Sequence, residues 1–258
     1  VAPAEVEAGL AAFEGQASAN EEGLGVDPSA YVAAVERIRR HIQAGDVYQI
    51  NYTAPFRFSA SGDPRVLYRR MRRRQHVPYG AYLNLGDRQI LSCSPELFFR
   101  RDGDWVETRP IKGTRPRGAT PEEDRALADE LLDSEKDRAE NVMIVDLLRN
   151  DLSVCCRPGS VKVPELYATE PYDTVTQMTS TVEGRLRPGQ GLSDVLRALF
   201  PCGSVTGAPK RRAMRLIREL EATPRGVYCG AIGMAGPETA VFNVAIRTAV
   251  IDGEEGMM

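Results

Sequence analysis

The stretch 81–109, AYLNLGDRQILSCSPELFFRRDGDWVETR, decides the fold class. It holds four short strand-like runs, Ala81 to Leu85, Gln89 to Ser92, Leu97 to Arg100 and Trp105 to Arg109, with turn signals at Gly86-Asp87 and Asp102-Gly103. A parallel crossover needs a dozen or more residues, so gaps this short predict that consecutive runs pair antiparallel. Upstream, Asp27-Pro28 is an N-cap and N1 pair, and Tyr31, Val35, Ile38 and Ile42 follow at helical spacing. A helix over Pro28 to Ala44, stopped by Gly45, and a strand over Val47 to Phe58 are expected. Downstream, Thr120-Pro121-Glu122-Glu123 is a capping box opening a helix to about Leu132, and Ser134 caps another reaching about Leu152. Thr174 to Leu186 alternates like a strand, Leu192 to Phe200 is helical, and Pro209 to Leu220 places Ala213, Leu216, Ile217 and Leu220 on one helical face. Val227 to Met234 and Ala240 to Val250 close the pattern. Strands thus cluster at both ends around a helical middle without regular alternation, which predicts an α+β fold with a large antiparallel sheet system. No repeat, low-complexity tract or linker divides residues 1–258, so one domain is expected.

Asp252-Gly253 signals a hairpin after the last strand, and nothing strand-like returns from it. With Val1 in first position, this suggests a portion of a longer protein that lacks its C-terminal segment and most of an N-terminal portion.

Composition narrows the function classes. A hydrophobic fraction of 42% with 27% charged residues is that of a globular chain, and the net charge of -3 argues against electrostatic nucleic-acid binding. No apolar run approaches the ~20 residues that span a bilayer, and no signal peptide opens the chain, so a cytoplasmic protein without a membrane partner is expected. Five cysteines without CxxC spacing point to reduced, mostly buried thiols. Only four of the 33 basic residues are lysines, Lys112, Lys136, Lys162 and Lys210, and the rest are arginines. In so arginine-biased a chain, a retained lysine suggests a need for an amine.

Several segments could carry chemistry. Thr108 to Arg117 sets Lys112 among Arg109, Arg115 and Arg117, and nearby like charge would disfavour the ammonium and free a nucleophile; a solvated basic loop is the alternative. Gly113 would leave room for a ligand. On a helix, Asp137, Glu140, Ile144, Leu148 and Asp151 form one ridge, its carboxylates either paired with Arg138 and Arg149 or binding a hard cation such as Mg²⁺. Gly203-Ser204-Val205-Thr206-Gly207-Ala208 before a helix at Pro209 suits either a carboxylate site or a plain helix entry, and lacks the GxxxxGK[ST] phosphate-loop pattern. Arg247, on a strand face with Asn243, Ala245 and Ala249, suits a carboxylate clamp or an edge salt bridge. Glu96 in Ser94-Pro95-Glu96 is a general acid/base or a turn residue. His41, His76 and the arginines of 69–74 read as solvated helix surface.

Together these segments resemble the chorismate-utilising enzymes, and within them the branch that makes 4-amino-4-deoxychorismate. The carrying residues are Gly45 to Asn51, Ser94 to Glu96, Pro110-Ile111-Lys112-Gly113-Thr114, Glu140 to Asp151, Gly203 to Lys210, Gly230 to Met234 and Ile246 to Thr248. The similar anthranilate synthases have alanine where Lys112 stands and histidine where Gln177 stands. The resemblance implies a two-sheet, largely antiparallel α/β sandwich. It implies amination of chorismate at carbon 4 with Lys112 as nucleophile, Glu96 as acid/base and Glu140 as a Mg²⁺ ligand. Gly203, Ser204, Thr206, Gly207, Ala208, Tyr228, Arg247, Thr114 and Gln177 would bind substrate. Ammonia would come from a glutamine amidotransferase subunit, and the product would serve 4-aminobenzoate and folate synthesis. Anthranilate or isochorismate synthesis, or an inactive chorismate-binding remnant, are the alternatives.

Overall fold

The computed structural model describes residues 10, 11, 13 and 15–258. A six-stranded sheet combines β1 (Ala17–Leu24), β3 (Phe56–Gly62), β4 (Tyr79–Asn84), β5 (Arg88–Ser94), β14 (Thr248–Asp252) and β15 (Glu255–Met257) in the order β1-β3-β15-β14-β5-β4. A seven-stranded sheet combines β6 (Leu97–Asp102), β7 (Trp105–Arg109), β8 (Ile111–Pro116), β9 (Lys162–Pro171), β10 (Val175–Arg185), β12 (Ala231–Ala235) and β13 (Thr239–Val244), ordered β12-β13-β6-β7-β10-β8 with β9 also paired to β10. The short β2 (Gln49–Ile50) and β11 (Gly207–Ala208) form a separate pair. All these pairings are antiparallel, and the helices are α1 (Pro28–Gln43), α2 (Pro64–Arg74), α3 (Pro121–Asp133), α4 (Glu135–Ser153), α5 (Leu192–Leu199) and α6 (Lys210–Leu220). The expected α+β class with largely antiparallel sheets is what forms.

The caps act as their residue types require. Asp27 accepts from the N–H groups of Ser29 and Ala30, Thr120 from that of Glu123, and Ser134 from that of Asp137. Helix α4 then turns its ridge inward, burying Ile144, Leu148 and Leu152 with Phe98, Phe99, Val106 and Val182 of the seven-stranded sheet. Each such side chain contributes roughly 1.5–3 kcal/mol. A second core sets Leu91, Cys93 and Ile251 of the six-stranded sheet with Tyr68 of α2. The arginines of α2 are put to structural use, Arg69 and Arg70 donating to the carbonyls of Ala11 and Ala17. All five cysteines are free and buried. Among the described residues no helix is long and apolar enough to cross a membrane.

The quoted stretch behaves differently in its middle. β4 pairs with β5 and β6 with β7, yet β5 and β6 do not pair, because the chain leaves one sheet for the other at Ser94-Pro95-Glu96. Proline cannot donate to a ladder, so pairing stops there. The expected strand over Ala240 to Val250 breaks in the same way at Ala245-Ile246-Arg247, where Arg247 takes a φ of 49°. The two crossings lie side by side. The Ser94 hydroxyl donates to the Val244 carbonyl at 2.6 Å and accepts from the Glu96 N–H at 3.2 Å, and the Val244 N–H donates to the Glu96 carbonyl at 3.1 Å.

Other expectations need correction. The hairpin at Asp252-Gly253 does return: β15 pairs with β14 through Ile251 and Gly256, then with β3 through Gly256 and Phe58. Its polar, glycine-containing sequence hid it. The strand expected over Val47 to Phe58 is divided into β2 and β3 by residues 51–55, which include Pro55. β8 was masked by Pro110, Gly113 and Pro116, although β7 and β8 both pair with β10.

Ser94→Ala should lower stability by about 1–3 kcal/mol in urea unfolding, since it strands buried backbone groups. The exposed Ser18–Ser61 hydroxyl pair provides the comparison: Ser61→Ala should change stability by less than about 0.5 kcal/mol. Equal small effects would remove the crossing staple from the account.

Candidate active site

Lys112 sits on β8 and donates to the Ser204 carbonyl at 3.0 Å. The guanidinium cage expected around it is absent. Arg109 is held by Glu170, Arg115 by Glu130 at 2.8 Å and Asp137 at 3.1 Å, and Arg117 by Asp124 at 2.6 Å, so each neighbouring charge is neutralised elsewhere. Gly113 does not leave room for a ligand either. It has a φ of 93°, and a Cβ there would stand 2.9 Å from Leu131 and 3.1 Å from Asp137, so its bareness lets α3 and α4 press on the strand.

The crossing at Pro95 carries Glu96 into the interior, where it is only 3% exposed. Burial pushes its carboxyl up to about 7, against the opposing pull of the Ser204 hydroxyl, the Lys112 ammonium and the Ile111 N–H. Its Oε1 has no hydrogen-bond partner. Lys112, Glu96 and Ser204, far apart in sequence, therefore meet. An amine with a carboxyl poised near neutrality can serve nucleophilic attack coupled to proton transfer.

Ser204 belongs to a buried 3₁₀ turn, Gly203–Val205, leading into β11. Glycine is required twice, since a Cβ at Gly203 would stand 2.5 Å from Leu147 and one at Gly207, with φ 141°, 2.1 Å from the Gln49 carbonyl. The Thr206 hydroxyl donates within the loop to the Cys202 carbonyl at 2.9 Å. The Cys202 thiol, 3.2 Å from the Ser204 hydroxyl, is pushed up to about 12 by burial and by the nearby Glu96 charge. α6 starts at Lys210 with Pro209 as its cap, one residue later than expected. Lys210 is occupied, donating to Asp151 at 2.5 Å and to the Leu199 carbonyl at 2.8 Å.

Gln177 lies opposite Thr114 in the β8–β10 register and is buried with its Oε1 unpartnered. Asn141 is similar, its carbonyl accepting from Ser180 at 2.6 Å while its Nδ2 has no partner. Unfilled buried polar groups of this kind call for a ligand, water or ion. On the α4 ridge, Asp137 pairs with Arg115 and Asp151 with Lys210, not with Arg138 or Arg149. Arg138 instead lies over the Tyr167 ring, and Arg149 pairs with Asp146. Among the described residues Glu140 has only Lys136 as an ion-pair partner, at 3.9 Å.

Arg247 stands at the second crossing, not on a continuous strand face, and among the described residues its guanidinium has no hydrogen-bond or ion-pair partner. Tyr228 lines a groove of about 590 Å³ with Thr206, Met214, Ile217 and Gly230; Lys112 and Glu96 do not line it. Of the histidines, His41 is half-buried against Asp46 and His76 is exposed against Asp173, both at 2.7 Å.

Sequence reasoning missed Arg225 and Glu221. Arg225 donates to the Val205 and Asn51 carbonyls, each at 2.6 Å, and to Glu221, which accepts from the Thr53 N–H at 3.0 Å. Their spacing of four looks like an ordinary surface ion pair, and only the beginning of a Pro224-Arg225-Gly226 turn hinted otherwise.

Residues 3–258 match the family model described as chorismate binding enzyme. The chain is 47% identical over 226 residues to aminodeoxychorismate synthase component 1 of Bacillus subtilis, covering 87% of this chain and 48% of that protein. It is 45% identical over 222 residues to an anthranilate synthase component 1 of Haloarcula marismortui, covering 86% and 45%. The chain thus spans about half the length of the curated relatives it matches. Among solved structures, anthranilate synthase component I from Streptococcus pneumoniae superposes with a TM-score of 0.82 at 34% identity, covering 98% of this chain and 58% of that one. The fold, the meeting of Lys112 with Glu96 and these similarities agree: the chain belongs to the chorismate-binding enzyme family.

Proposed function

We propose that the protein carrying this chain makes 4-amino-4-deoxychorismate from chorismate and ammonia in the cytoplasm. What carries the assignment is the approach of the Lys112 amine and the buried Glu96 carboxyl to Ser204. In this reaction the Lys112 amine attacks carbon 2, the ring double bond shifts, and the hydroxyl at carbon 4 leaves as water with the proton of Glu96. Ammonia then adds at carbon 4, the double bond shifts back and the lysine leaves from carbon 2. The Glu96 carboxylate takes the proton that the new ammonium group releases, so one water is lost for each ammonia gained.

Arg247 and Tyr228 would hold the substrate carboxylates together with the loop residues Gly203, Ser204, Thr206, Gly207 and Ala208. The guanidinium of Arg247, without a partner among the described residues, supports this role. Thr114 and Gln177 would complete the pocket, Gln177 through its unpartnered oxygen. Glu140 fits Mg²⁺ as a single hard ligand, because this cation takes one or two protein carboxylates and completes its shell with substrate oxygens and water. Bound there, Mg²⁺ would neutralise a substrate carboxylate. A glutamine amidotransferase subunit would supply the ammonia, and the product would feed 4-aminobenzoate and folate synthesis. The competing assignment is anthranilate synthesis, since the Haloarcula anthranilate synthase component 1 is nearly as similar at 45% identity.

Incubating the full-length protein with chorismate, ammonium and Mg²⁺ should yield 4-amino-4-deoxychorismate on chromatography, and Lys112→Ala should lose most of that rate. Anthranilate as main product, or full activity in Lys112→Ala, would overturn the assignment. Because the first step needs protonated Glu96, kcat/KM should fall as pH rises through about 7. Glu96→Gln should lose about 10²-fold or more and lack that limb; the same limb in the variant would remove Glu96 as the acid. Glu140→Gln should raise the Mg²⁺ concentration giving half-maximal rate, and an unchanged requirement would take Glu140 out of the metal site.

A further inference from the structure

We infer that Arg225 is a positioning residue for the Lys112 amine, acting through the peptide carbonyls of the 203–205 turn. This rests on the reaction proposed above but assigns a residue that plays no part in it. Lys112 holds the Ser204 carbonyl at 3.0 Å, and Arg225 holds the next carbonyl, that of Val205, at 2.6 Å. Two cations thus grip successive peptide units of one short turn. Rotation of that turn would carry the Ser204 carbonyl away from Lys112, and it would also break the Val205 bond unless Arg225 moved with the turn.

Arg225 is itself anchored at two further points. It donates to the Asn51 carbonyl at 2.6 Å and through Nε and Nη2 to Glu221, at 2.9 and 2.6 Å. Glu221 caps α6 and also accepts from the N–H and hydroxyl of Thr53, at 3.0 and 3.2 Å. One guanidinium therefore ties the turn to the segment after β2 and to the end of α6. A planar five-donor fork suits this task; an ammonium would lose the paired geometry. Glu221 keeps the fork neutral and oriented within a largely buried site, with side-chain exposures of 14% and 6%.

The consequence lies in turnover more than in substrate capture. A displacement near 1 Å at a reacting group costs about 10²-fold in rate. In the full-length protein with chorismate, ammonium and Mg²⁺, Arg225→Gln should lower kcat by about that factor with KM for chorismate within about threefold, and Arg225→Lys should restore little. A second readout needs no turnover: acetylation of Lys112 by acetic anhydride, followed by mass spectrometry with Lys162 as internal reference, should change in rate in Arg225→Gln. A lowered Tm with wild-type kcat per folded molecule and unchanged Lys112 labelling would overturn the inference. If Arg225→Gln does not fold, Glu221→Gln decides: a kcat loss at constant KM with altered labelling supports the positioning role, and wild-type values for both refute it. If the wild-type protein makes another product or none, the proposed reaction fails, while the labelling comparison still judges Arg225.

Discussion

The candidate centre depends on the chain passing twice, side by side, from one sheet to the other. At Pro95 the ladder ends for want of an N–H, and at Arg247 it ends in a left-handed residue. Ser94 joins the crossings by serving the Val244 carbonyl and the Glu96 N–H with one hydroxyl. The seam continues through polar groups, with Ser92 bonded to Thr248 at 2.8 Å and Asn243 reaching the Tyr79 carbonyl at 2.7 Å. Glu96 is buried because the backbone takes it there. Its raised carboxyl range follows from that path, since burial is the dominant cause and the neighbouring donors only moderate it.

Two lysine side chains next to the 203–208 loop have opposite roles. Lys210 is bound by the Asp151 carboxylate and the Leu199 carbonyl, tying α4 to the end of α5. Removing one partner from so buried a pair costs about 3–5 kcal/mol. Lys112 has a neutral carbonyl as its partner, so its amine can exchange that contact for a bond to substrate without stranding a buried carboxylate. The lysines retained at 112 and 210 thus serve different physical ends in one region. An arginine, which stays protonated, could not act as the amine nucleophile at 112.

Fold class, most helices and their caps were legible because side-chain periodicity and capping chemistry are local. The division into two sheets was implied by the family resemblance and not by the local pattern, since a Ser-Pro-Glu link looks the same whether the flanking strands pair or part. β8 and β15 were hidden by prolines and glycines whose use is tertiary: Gly113 admits Leu131, and Gly256 lies so near Phe58 that a Cβ would stand 2.2 Å from its ring. At the site, Lys112, Glu96 and the Gly203–Ala208 loop were visible as residue types. The reason offered for Lys112 was wrong, because the carboxylates neutralising its arginine neighbours come from α3, α4 and β9. Arg225 was missed because its pairing with Glu221 looks like an ordinary surface ion pair, and its other acceptors are backbone carbonyls, which carry no residue-type signature.

The position of β15 also bears on the order in which the molecule is built. β3 is bonded to β1 on one side and to β15 on the other, so among the described residues β1 and β3 join the rest of the six-stranded sheet only through Glu255–Met257. These partners are separated by most of the chain, and closing so long a loop is a slow, entropically unfavourable step. Until residues 255–257 leave the ribosome, β3 keeps an open edge of unpaired N–H and C=O groups, a template for pairing with other chains. Synthesis from the N-terminus therefore produces the β1–β3 pair early and joins it to β15 late.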